Sequence, residues 1–150
     1  RRLFIALLPL LFIGCDTNSA PDVLVGTWEL VEVSSLSGET VDGPLGSSLV
    51  FESDGELRID SVNDCSGGAF GVAGDSSRML RLEVGGCTFI GVPPESDLSQ
   101  FLLALSDPPG DVQHVHGLLL FPFAVRESIP LQLVLDAPQR DTRLVFRPVQ

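Results

Sequence analysis

Leu49-Val50-Phe51-Glu52-Ser53-Asp54-Gly55-Glu56-Leu57-Arg58-Ile59 places two short alternating runs on either side of an Asp-Gly pair. Side chains alternate across a strand with period two, and Asp-Gly between such runs is a strong short-range hairpin signal. The same period continues outward. Upstream, Gly26-Thr27-Trp28-Glu29-Leu30-Val31-Glu32-Val33 puts Trp28 and Leu30 on one face and Glu29 on the other. A Gly/Ser/Pro-rich loop over 34–48 separates it from the hairpin. Downstream, strands are expected through 69–72 and 80–84, with a turn at Gly74-Asp75, and then over 112–121, 129–135 and 143–146. Turn signals every 8 to 15 residues between such runs argue for antiparallel pairing.

The period changes once. Pro93-Pro94-Glu95-Ser96-Asp97 precedes Leu98, Phe101, Leu102 and Leu105, apolar at i, i+3, i+4 and i+7. A proline-bearing start with acids in the first turn predicts one helix over 94–106, ended by Asp107-Pro108-Pro109-Gly110. The expected fold is mostly β, of α+β type: one small antiparallel β-sheet or barrel-like domain over 23–150, with one amphipathic helix covering part of the sheet.

Ahead of this domain, Arg1 and Arg2 head an apolar run from Leu3 to Ile13 that meets Gly14-Cys15. About eleven apolar residues are too few for a helix to span a bilayer, which takes ~20. A cleaved export signal over 1–14 is expected instead. Leu11-Phe12-Ile13-Gly14-Cys15 is similar to bacterial lipoprotein signals, which implies acylation of Cys15 as the first residue of the mature chain. An ordinary signal peptide is the alternative. Arg1-Arg2 also fits a twin-arginine signal or a plain basic region. Residues 15–22 form a polar, Pro-containing tether, expected to be unfolded, reaching at most ~25 Å at ~3.5 Å per residue. The expected location is the cell envelope, anchored by lipid and facing the periplasm. In enteric bacteria an acid at the place of Asp16 is associated with the inner membrane, but inner and outer membranes both stay open.

Without residues 1–14 the formal charge goes from −11 to −13, because Arg1 and Arg2 leave and no acid does. There is no Lys, and the remaining Arg are scattered, so nucleic acid is a poor partner. The anchor would make the membrane a partner, with an envelope protein or a small apolar ligand as further candidates.

Cys65 and Cys87 remain after Cys15 is assigned to lipid. In an oxidising compartment they are candidates for a disulfide closing about 22 residues, worth ~3 kcal/mol in the chain-entropy model. Two separate buried thiols are the alternative. Other constellations carry weaker signals. His114 and His116 share a face of the expected strand and could share a metal, yet no third ligand is evident and no metal or cofactor is expected. Gly74-Asp75-Ser76-Ser77 reads as a turn rather than an esterase opening. Asp60, Asn63 and Asp64 lack the glycine and distal Glu of a calcium loop and read as a solvated acidic turn. Glu29 and Glu32 read as solubilising charges on an edge strand. No catalytic residue is assigned. Trp28, Phe51, Phe70 and Phe101 are the core candidates, and the ones that would face a ligand if the interior held one.

The order of these features resembles the META, or HslJ-like, domain of bacterial envelope proteins. It rests on Gly26-Thr27-Trp28-Glu29-Leu30; Phe51 with Asp54-Gly55; Cys65 with Gly68 and Phe70; Leu80-Arg81-Leu82 before Cys87; Glu95 with Phe101-Leu102 and Leu105; and Leu118-Leu119-Leu120 with Leu144-Val145-Phe146. Ser66 stands where the family usually has Asn, and the residues before Cys87 lack its Thr. The resemblance implies a small antiparallel β domain with one helix and no established catalytic residues, hence a non-enzymatic binding or envelope-integrity role. Gly26-Thr27-Trp28-Glu29-Leu30 also looks like the opening of lipocalin-like domains, which implies the competing role of carrier for a small apolar ligand or lipid.

Overall fold

A computed structural model describes residues 22–60, 64–73, 79–84, 98–105 and 117–150. Eight strands follow one another around a closed antiparallel barrel: β1 (Gly26–Ser34), β2 (Ser48–Phe51), β3 (Glu56–Asp60), β4 (Asp64–Ala73), β5 (Met79–Val84), β6 (Gly117–Arg126), β7 (Gln132–Ala137) and β8 (Thr142–Pro148). Each strand pairs with the next in sequence, and β8 closes on β1 through Leu30↔Phe146 and Val33↔Leu144. Between β5 and β6 lies α1 (Leu98–Ala104), and a short 3₁₀ turn (Pro138–Arg140) joins β7 to β8.

The deciding hairpin forms where its sequence puts it, with Phe51 opposite Leu57 and Leu49 opposite Ile59. Gly55 takes φ +91°, a left-handed backbone that glycine adopts without a Cβ penalty. Its N–H donates to Glu52 O at 3.1 Å, while Asp54 Oδ1 accepts the Glu56 N–H at 3.0 Å. Closure corrects one sequence expectation. β1 lies between β2 and β8, so Glu29 and Glu32 stand on the wall of a barrel that has no edge strand.

A bulge between Leu30 and Glu32 resets the alternation of β1 against β8. Trp28 and Leu30 are buried before it and Val33 after it, while Glu32 stays outside. One extra residue therefore lets a single strand keep its apolar side inward at both ends of the barrel.

Several bounds move. β6 continues through Phe121 and Pro122 to Arg126, whereas 112–116 lie outside the described residues. β7 starts at Gln132 rather than 129. The helix is more enclosed than predicted. It ends at Ala104, and 94–97 lie outside the described residues. Leu98, Leu102 and Leu105 join the core, as their spacing requires, but Ser99 and Gln100, roughly 100° and 200° further round the helix, are buried as well. It is not the amphipathic surface helix expected from its apolar stripe, because burial extends to its polar side. No helix among the described residues is long and apolar enough to cross a membrane.

Candidate functional site

Antiparallel succession sends alternate connections to opposite ends of the barrel. The proximal end carries residues 22–25, the β2–β3 turn, the β6–β7 connection and the C-terminal residues. The distal end carries the 35–47 loop, the connection that holds α1, and the β7–β8 turn. The interior, these two ends and the outer walls are the places where a barrel of this size can act.

The interior is occupied by the protein's own side chains. Trp28, Phe51, Phe70, Phe121 and Phe146 are buried there with leucines from β2, β3, β5, β7 and β8. The Phe51 and Phe70 rings meet edge to face, centroids 4.7 Å apart and planes at 65°. That is a favourable arrangement for the aromatic quadrupole. Phe101 is half-buried and packs from α1 onto the same cluster.

At the proximal end, the Trp28 indole N–H donates to Leu24 O at 2.8 Å, and Leu24 has no exposed surface. The turn before β1 thereby folds over the barrel mouth and uses the one polar atom of the indole. A Trp whose N–H is committed to its own backbone serves the core, so the structure favours packing over ligand stacking at Trp28.

At the distal end, the 35–47 loop folds back along β1. Leu30 N–H donates to Ser47 O at 2.8 Å, and Val41 N–H donates to Val33 O at 2.9 Å. Gly43 sits where a Cβ would lie 2.5 Å from Val33 Cγ2, so only glycine fits without a shift. From the other side of the sequence, Asp141 Oδ1 accepts the Leu36 N–H at 3.2 Å and ties the loop to the β7–β8 turn.

Ion pairs lie along the walls. Arg143 makes a bidentate pair with Asp136, at 2.7 and 2.9 Å. That hydrogen bonding holds the guanidinium above its usual range against the opposing effect of burial, and the charges of Asp136 and Glu32 add to it. Arg58 pairs with Glu52 at 3.3 Å, and Arg81 pairs with Glu83.

The structure brings Trp28, Phe51 and Phe70 together as the sequence grouped them. Asp60 and Asp64 are paired across β3 and β4, with Asp60 exposed. The backbone of Cys65 lies opposite Ile59 on β4. Cys15, Cys87, Ser76, Asn63, His114 and His116 lie outside the described residues, so the expected lipidation site, the candidate Cys65–Cys87 disulfide and the candidate histidine pair fall there in whole or in part. Among the described residues, no three His, Cys, Asp or Glu side chains gather as a metal site. Sequence reasoning missed the parts played by Leu24, Gly43 and Asp141. Only Gly43 carried any signal, as one glycine within a loop already rich in them. No family model, curated protein or solved structure matches the chain.

Proposed function

We propose that this chain is a lipid-anchored protein of the bacterial cell envelope whose META-like barrel acts by noncovalent binding at its outer surface, without catalysis. The observation that carries this reading is the filled interior. Eight strands enclose either packed side chains or one small ligand, and here Trp28 of β1, Phe51 of β2, Phe121 of β6 and Phe146 of β8 are buried in one packed cluster. Binding is then left to the walls and ends. The Gly14-Cys15 junction supports anchoring, and the succession of β5, α1 and β6 agrees with the feature order behind the META resemblance. The test is intact mass of protein purified from membranes, before and after Cys15→Ser. Acyl mass on a chain starting at Cys15, lost in the variant, is the expected result; an unmodified parent chain overturns the anchor.

A second reading, a lipocalin-like carrier, draws support from one observation: a closed eight-stranded meander is the lipocalin architecture. Native mass spectrometry separates the two. A stoichiometric small molecule retained by the barrel and lost on unfolding would favour the carrier.

A further inference from the structure

Among the described residues, eight large apolar side chains are exposed. Leu36, Val41 and Leu45 belong to the distal loop, whereas Val23, Val25, Val72, Ile129 and Val149 all sit toward the proximal end. Four of these five lie along one arc. Val149 N–H donates to Thr27 O at 2.9 Å, which extends the β1–β8 ladder and seats Val149 beside the segment holding Val23 and Val25. The pairing of β7 with β8 leaves the 127–131 connection next to that same chain end, and Ile129 is exposed there. Exposures along the arc are 104% for Ile129, 54% for Val149, 39% for Val25 and 50% for Val23. On the walls between the two ends, Glu29, Glu32, Arg58 and Arg81 are exposed instead.

Geometry selects what this arc meets. The chain enters the barrel at the proximal end, and the tether from Cys15 to Asp22 reaches at most ~25 Å. A ten-residue strand such as β4 spans ~33 Å, or ~25 Å along the axis of a barrel with tilted strands. A fully stretched tether is therefore used up if the barrel turns its distal end to the bilayer, whereas the proximal end reaches it without extension. We propose that the proximal end rests on the lipid bilayer, with Ile129, Val149, Val25 and Val23 as its contact rim. The inference depends on the reading that Cys15 carries lipid. Arg126 and Glu127 stand side by side in sequence at this end, the neighbouring β2–β3 turn adds the acids Glu52, Asp54 and Glu56, and a mature chain at −13 is repelled by anionic headgroups, so the rim meets electrically neutral lipid through apolar contact.

The experiment uses acylated protein in phosphatidylcholine vesicles whose acyl chains carry bromine, a contact quencher of indole emission. Trp28 is buried and supplies the same background in every variant. Loss of emission in Ile129→Trp, with little in Leu36→Trp at the distal end, is the expected outcome. Equal loss in both, or loss in neither, overturns the proposal. Val149→Trp repeats the test should Ile129→Trp fail to melt like the parent. Intact mass reports acylation separately, so acylated protein without quenching overturns the rim alone, and unacylated protein overturns rim and anchor together. A Cys15→Ser dimer in solution that Ile129→Asp dissociates would assign the arc to a second copy and overturn the bilayer contact.

Discussion

The two ends of the barrel are closed by different means. At the proximal end the seal is local: Leu24 and Trp28 are four residues apart, joined by one buried hydrogen bond. At the distal end the seal is imported, with α1 coming from the middle of the chain and the 35–47 loop held by Asp141, 105 residues away from Leu36. A local seal costs little chain entropy to form, whereas one assembled from distant segments depends on the rest of the barrel being in place. The distal end should therefore open before the proximal end.

The strongest way to break that comparison is to empty each seal in turn. Trp28→Ala should cost ~3–5 kcal/mol in urea unfolding, and Leu102→Ala, which removes an α1 anchor, ~2–4 kcal/mol. Amide exchange near the altered end should rise in each variant; a larger loss from Leu102→Ala would reverse the order of the ends. Gly43→Ala sharpens the distal half. Its new methyl meets Val33 at 2.5 Å, so a loss of ~1–3 kcal/mol is expected, largely restored by adding Val33→Ala. An undiminished melting temperature in Gly43→Ala alone would show a loop that yields freely. The smallest effect belongs to the wall shared by both ends. Arg143→Gln breaks the pair with Asp136, partly open to solvent, and should cost under ~1 kcal/mol, shrinking as salt is added. A salt-independent loss would assign the arginine a packing role instead.

The hairpin at Asp54-Gly55, the inward set of Trp28, Leu30, Phe51 and Phe70, and the apolar spacing of α1 were legible because each is a local pattern. Periods of two and 3.6 are properties of neighbouring residues, and an Asp-Gly turn needs no distant partner. The β1 bulge was not legible, since Val31 becomes an extra residue only against β8. Nor was the burial of Ser99 and Gln100, polar residues whose positions on a short helix suggest exposure. Glu29 and Glu32 read as edge charges for the same reason: an edge is a property of the whole sheet. For the candidate site, the aromatic cluster could be listed from alternation, but that Phe51 meets Phe70 edge to face required β2 and β4 to be set on either side of β3, and no residue-type pattern marks Leu24 O as the acceptor for the Trp28 N–H.

The sequence by itself determined the mostly β character, the position of the helix between the fifth and sixth strands, and which residues face inward, because hydrophobic periodicity records burial one element at a time. Tertiary structure alone decided that the sheet closes, that β1 is an interior wall, and that Ile129 and Val149 come to lie at the end where the chain enters. Those are consequences of pairing β8 with β1 across more than a hundred residues, and no local pattern of side chains encodes the contact that joins the first strand to the last.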